Sequence, residues 1–173
     1  MTLGALNILS RNDKRGFRRA LNIFSRNREG FFLHVEGGAI DWAGHRNNSP
    51  RLIEEHVDFD NTVEAVIAWI EEHTSWDETL LVITGDHETG YLTGPGSGPD
   101  ARPMWQPIEN RGKGVLPGME WHSGGHTNQL IPLFAKGAGA ERLRDRVIDI
   151  DPERGPSIHH IDIGKVFFSL LED

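Results

Sequence analysis

A chain of 173 residues is long enough to bury one real hydrophobic core. Its 18 basic and 26 acidic side chains leave a formal charge of −8, which argues against a general nucleic-acid groove, because phosphate binding by side chains needs a basic surface. No apolar run approaches the roughly 20 residues of a membrane span, and with no cysteine in the chain a tight divalent site has to use imidazole and carboxylate.

Residues 1–29 read as helix and contain a near repeat, Ala5-Leu-Asn-Ile-Leu-Ser-Arg-Asn12 returning as Ala20-Leu-Asn-Ile-Phe-Ser-Arg-Asn27. This offset rotates a helix by about 60° beyond four full turns, so both copies cannot face one core strip on a straight helix. The segment reads as an amphipathic helix with a duplicated piece, or as two short helices broken near Gly16. It has arginines but no apolar h-region, so it does not read as a secretory signal.

Phe31-Phe-Leu-His-Val35 is a short apolar run, expected as a buried strand. Ser49-Pro50 looks like an N-cap followed by proline at the first helical position. Leu52, Ile53, His56, Val57, Val63, Val66, Ile67 and Ile70 then recur at helical spacing, predicting a helix over 51–73 with one inward face. Thr79 to Thr84 is a second strand. Strand, helix and strand in this order are the signature of a parallel pair with a covering helix. Gly94 to Gly118, dense in glycine and proline, is a long excursion that lacks the lysine and helix of a phosphate-binding loop. Leu130 to Ala135 is a third strand, and its proline suggests an edge or a strand end. Ile161 to Leu171 is a closing helix.

Ligands of open α/β sheets bind beyond the carboxyl ends of the strands. Glu36 ends the first expected strand, and Asp86-His87 follow the second. Asp41 and His45 stand four residues apart, so a helical turn between them would put both on one face, within reach of one ion. His126 lies in Gly124-Gly-His-Thr-Asn128. Taken singly, Glu36 and Asp41 read as solvated carboxylates or helix caps and His45 as a surface histidine. Asp86-His87 read as a hydrogen-bonded pair or a metal pair. Together they favour a metal site. His34 reads as a satisfied histidine on the sheet, His56 and His73 as helix residues outside the site, His122 as a weaker candidate, and His159 and His160 as loop residues.

Three segments carry a specific likeness: Phe31 through His45, Val82-Ile-Thr-Gly-Asp-His-Glu-Thr-Gly-Tyr-Leu92, and Gly125-His-Thr-Asn-Gln-Leu-Ile-Pro-Leu-Phe-Ala135. In order and spacing they resemble the alkaline phosphatase family, and the likeness extends to Ile161-Asp-Ile-Gly-Lys-Val166. The resemblance implies an α/β fold, a mostly parallel sheet between two helical layers, residues 1–173 forming one part of that domain and 94–122 a loop insertion. It implies phosphomonoester hydrolysis at a site of two zinc ions and one magnesium. By the same resemblance Asp41, His45 and His126 are the complete protein ligand set of one zinc, Asp86 and His87 half the set of the other, and Glu36 a magnesium ligand. Trp42 stands where family members vary the residue facing the bound phosphate.

The family attacks phosphate with a serine that follows an aspartate, and no Asp-Ser pair occurs in this chain. The chain is therefore expected to be a C-terminal portion of a longer enzyme, nearly inactive alone, acting on small phosphate esters. A homodimer or a complementing chain that carries the serine is the expected partner, and a periplasmic or extracellular location follows from the resemblance alone. Alternative readings are a non-catalytic metal-binding half and a related metallohydrolase such as a phosphodiesterase, sulfatase or phosphopentomutase.

Overall fold

The computed structural model describes residues 2–7 and 14–172. In chain order these form strand β1 (Thr2–Asn7), helix α1 (Lys14–Phe24), β2 (Phe31–Glu36), α2 (Ala39–His45), α3 (Ser49–His73), β3 (Leu80–Thr84), β4 (Glu88–Thr89), β5 (Leu92–Thr93), β6 (Glu120–Trp121), β7 (His126–Thr127), β8 (Leu133–Gly137), α4 (Ala140–Arg144), β9 (Asp149–Asp151), β10 (Gly155–Ser157) and α5 (His160–Glu172). They fall into two compact units. One takes the described residues up to Trp69 together with Thr89–Thr127. The other takes Ile70–Glu88 and the described residues from Asn128 onward.

In the first unit β1 runs parallel to β2, in register from Thr2 opposite Phe31 to Asn7 opposite Glu36. Helix α1 lies in the connection between them, which is long enough for a parallel crossover. The expectation of helix across 1–29 is thus corrected. A six-residue non-local ladder outcompetes local helical periodicity, as tertiary context commonly does. The break expected near Gly16 is absent, since α1 runs through it. The two repeat copies take different structures. Residues 5–7 of the first belong to β1, Ala20–Phe24 of the second belong to α1, and residues 8–12 lie outside the described part.

The second copy helps build the core of this unit. Leu21 and Trp69 are buried. Phe31 stacks on Phe24 with ring centres 6.0 Å apart and meets Trp69 edge-on at 6.4 Å. The Trp69 Nε1–H donates to Asn22 Oδ1 at 2.9 Å, satisfying an indole that would otherwise be costly to bury. Helix α3 matches its expected span, but its cap is corrected. Asn48 Oδ1 accepts the Arg51 N–H at 3.1 Å, as an N-cap side chain should. The Ser49 hydroxyl instead accepts from Trp121 Nε1 at 2.8 Å. The inward face also differs, for His56 and Val57 are exposed while Glu55 is buried and paired with Arg51. His34 is exposed on β2.

In the second unit β3 pairs with β8 antiparallel, from Leu80 opposite Gly137 to Thr84 opposite Leu133. Two expectations fail here. The third strand begins at Leu133 rather than Leu130, because Pro132 has no N–H for a ladder; its carbonyl accepts from the Thr84 hydroxyl at 3.1 Å. It also runs antiparallel to β3, against the mostly parallel sheet that the resemblance implies. The pairs β5–β6 and β9–β10 are antiparallel too. The described ladders are therefore two-stranded pieces of both senses, not a mostly parallel sheet. The connection from β3 to β8 is not a helical crossover, so nothing in it enforces a parallel return. The excursion 94–118 has no helix; β5 and β6 join its ends, and Glu109 bridges Gly118 within it.

Helix α5 buries Val166 completely, and Asp162 lies in its first turn, nearly buried. His160 is its first residue, which corrects the loop reading of that position. The Lys165 ammonium donates to Asp162 Oδ1 at 2.9 Å and, as the largest cause, holds that carboxyl below its ordinary range. The unfolded chain therefore takes up this proton first as pH falls. The stabilisation is complete above the ordinary value of about 3.9 and drains away as pH drops through the lowered folded value. Urea midpoints measured from neutral pH to about pH 3 should show the parent's advantage over Asp162→Asn shrinking below about pH 4. A gap that stays constant over that range would rule the assignment out.

Candidate metal centre

The first unit assembles the site. The turn between β2 and α2 is made by Gly37 and Gly38, and a Cβ on Gly37 would stand 2.8 Å from the Phe59 ring. Only glycine permits this approach of α3. Helix α2 then carries Asp41 and His45 one turn apart, as their spacing predicts. Beneath them Gly44 is buried, and a Cβ there would lie 3.1 Å from Thr89. Strand β7 brings His126 from 81 residues along the chain to the same place.

Three donor groups converge. His45 Nε2 lies 3.4 Å from Asp41 Oδ2, His126 Nε2 lies 3.4 Å from Asp41 Oδ1, and the two Nε2 atoms are 3.1 Å apart. A tetrahedral zinc with bonds near 2.0–2.1 Å separates adjacent donors by about 3.3–3.4 Å. Each imidazole nitrogen stands that far from one oxygen of Asp41, a different oxygen for each ring, and these nitrogen and oxygen donors are those zinc accepts. The protonation pattern points the same way. His45 Nδ1 is 2.7 Å from the Gly124 carbonyl, which can only accept, so Nδ1 carries the proton. In the neutral ring the lone pair is then at Nε2, facing His126. Two nitrogens this close need a shared proton or a cation between them. Both histidines are exposed, so the site is open to solvent.

Thr89 completes the surroundings: its hydroxyl donates to Asp41 Oδ1 at 2.6 Å and orients the carboxylate. Sequence reasoning passed over Thr89, although it lies inside the Asp86-His-Glu-Thr-Gly90 segment. A threonine beside a ligand pair has no spacing signal of its own. His122 is occupied elsewhere in this unit. Its Nε2 is 2.7 Å from the hydroxyl of fully buried Thr93, and its ring meets Tyr91 edge-on, which makes it a packing group.

The remaining candidates are placed as follows. Glu36 is exposed at the end of β2, its carboxylate 3.1 Å from where a Cβ on Gly38 would stand. Trp42 follows Asp41 on α2 and is 55% exposed, free of the core and open to a ligand. Asp86 and His87 belong to the second unit, on the turn after β3, with His87 Nε2 3.4 Å from Asp86 Oδ2. No described helix is long and apolar enough to cross a membrane.

Comparisons with known proteins point to one family. The family model described as alkaline phosphatase matches residues 1–116. Alkaline phosphatase 4 of Bacillus subtilis (strain 168) is 38% identical over 74 residues, which are 43% of this chain and 15% of that protein. The repressible alkaline phosphatase of Saccharomyces cerevisiae is 39% identical over 92 residues, 53% of this chain and 14% of that one. The alkaline phosphatase from the Antarctic bacterium TAB5 superposes with a TM-score of 0.59 at 29% identity, covering 78% of this chain and 36% of its own. A mutant of the TAB5 enzyme with Mg bound in the M3 site gives 0.56 at 32% identity, covering 73% and 34%. The chain thus spans a small part of the length of these relatives. With two thirds of its residues inside the family model, the chain belongs to the alkaline phosphatase family.

Proposed function

We propose that this chain carries the metal-ligand part of a phosphomonoester hydrolase of the alkaline phosphatase type, one that releases inorganic phosphate at two zinc ions and one magnesium. The observation that carries the reading is the convergence of Asp41, His45 and His126, with the two Nε2 atoms 3.1 Å apart and each 3.4 Å from one of the two Asp41 oxygens. In this reading those three residues hold one zinc, Asp86 and His87 contribute to a second, and Glu36 contributes to magnesium. Bound zinc would supply a charge that stabilises the oxygen leaving phosphorus and would lower the pKa of the attacking group. The chain's own residues do the positioning. Thr89 fixes the Asp41 carboxylate, Gly124 fixes the His45 proton on Nδ1, and Trp42 forms part of the wall against which the ester sits.

The chain has no Asp-Ser pair, so the nucleophile is assigned to a partner segment of the same enzyme type, within the three-layer arrangement and the homodimer that the family suggests. Periplasmic or extracellular residence is part of the same proposal. A mutant relative with Mg bound in its M3 site supports magnesium as one of the metals of this proposal. The test is an assay of the purified chain with a chromogenic phosphate ester plus zinc and magnesium, with and without a co-expressed chain bearing the Asp-Ser segment. Zinc binding with little turnover alone, and turnover in the mixture, is expected. A rate for the isolated chain equal to that of a full-length relative would overturn the division of labour.

A further inference from the structure

We propose that Asn47 is a positioning residue of the metal centre, a clamp that fixes both the tautomer of His45 and the approach of His126. This rests on the zinc reading above and adds a residue that the ligand pattern does not contain. Asn47 lies two residues past α2 in the left-handed region, with φ 51°. Its N–H closes the helix by donating to the Gly44 carbonyl at 2.9 Å. Glycine would serve that backbone conformation at least as well. The side chain does something a glycine cannot: Nδ2 donates to the Ser123 carbonyl at 2.9 Å, across 76 residues of sequence. A carbonyl only accepts, so the amide must present its nitrogen there.

The loop that Asn47 grips is the one that matters. The carbonyl following Ser123 is that of Gly124, which takes the His45 Nδ1–H, and two residues after Gly124 comes His126. The loop is pinned from its other side by Gly90, whose N–H donates to Gly125 at 2.9 Å and whose carbonyl accepts from Ser123 at 3.0 Å. The Ser123 hydroxyl accepts the Gly125 N–H at 2.9 Å and tightens the turn within itself. Asn47 is thus a side-chain tie between the end of the helix bearing Asp41 and His45 and the loop leading to His126. Loosening it lets the Gly124 carbonyl drift from Nδ1. The His45 proton can then move to Nε2, where it blocks the metal.

Two variants separate this role from backbone effects. Asn47→Gly keeps the left-handed backbone without strain and deletes the amide. Asn47→Asp keeps the shape and puts a carboxylate oxygen against the Ser123 carbonyl. Zinc affinity is read by competition with a chromophoric chelator. The His45 tautomer is read separately from ring ¹⁵N shifts in zinc-free protein. Both variants should fold, lose about three- to tenfold in zinc affinity, less than the roughly 10- to 100-fold typical when a ligand's own hydrogen-bond partner is removed, and show His45 as a tautomer mixture. Unchanged zinc affinity or a single Nδ1–H tautomer in either variant overturns the proposal. Failure of the parent chain to bind zinc would sink the metal reading, while the ring shifts would still decide for or against the Asn47 clamp.

Discussion

Replacing Asp41 and His126 together by alanine is expected to remove the tightly held zinc equivalent from the purified chain, read by elemental analysis after dialysis against micromolar free zinc. Zinc sites built from four protein ligands hold the ion with apparent energies of about 10–16 kcal/mol. Deleting two of the three donors in this triangle removes most of the protein's share. Asp41 matters beyond its own bond, because it supplies the site's negative charge and touches both histidines through different oxygens. Without it the two Nε2 atoms, 3.1 Å apart, face each other with nothing between them to balance a cation. The single variant Asp41→Asn keeps the Thr89 contact and the shape but loses the charge. It should lie between the parent and the double variant. Full zinc stoichiometry in the double variant would mean the ion sits elsewhere, and the reading of this triangle as the metal centre would be lost.

What the sequence made legible follows from the range of the interactions involved. Asp41 and His45 could be paired because a single helical turn fixes their relation, and α2 supplies that turn. Helix α3 was legible from its periodicity, and its register against the core was less so, since Glu55 is buried by pairing with Arg51 while Val57 is left exposed. His126 was found by its motif context and not by spacing, because nothing local says that residue 126 returns to residue 41. The errors are also non-local. Strand β1 owes its form to pairing with β2, and β8 owes its direction to its pairing with β3; neither partner is encoded nearby. Thr89, Gly124 and Asn47 went unseen for a related reason. Their roles lie in single hydrogen bonds made across the fold, and a hydroxyl, a carbonyl or an amide leaves no periodic trace.

Gly90→Ala should be the most damaging single-methyl change at the rim of the site. Gly90 has φ 95°, a conformation that costs an L-residue roughly 1–2 kcal/mol. The added Cβ would also run into the six-membered ring of Trp121. That ring cannot simply move aside, because its Nε1–H is bonded to the Ser49 hydroxyl at 2.8 Å. The backbone cannot retreat either, since the Gly90 N–H and carbonyl both bind the loop 122–125. Overpacking of this kind typically adds about 1–3 kcal/mol, for a total of about 2–5 kcal/mol. Gly96→Ala is the matched control. Its φ is 77°, and nothing lies within 4 Å of a Cβ there, so it should cost only the backbone part, about 1–2 kcal/mol. Urea midpoints of the two variants measure the difference. Chelator competition should show zinc affinity falling in Gly90→Ala, whose loop carries the Gly124 carbonyl and leads into His126, and holding in Gly96→Ala. Equal midpoints, or unchanged zinc affinity in Gly90→Ala, would mean that Trp121 yields freely and that the loop is not braced through Gly90.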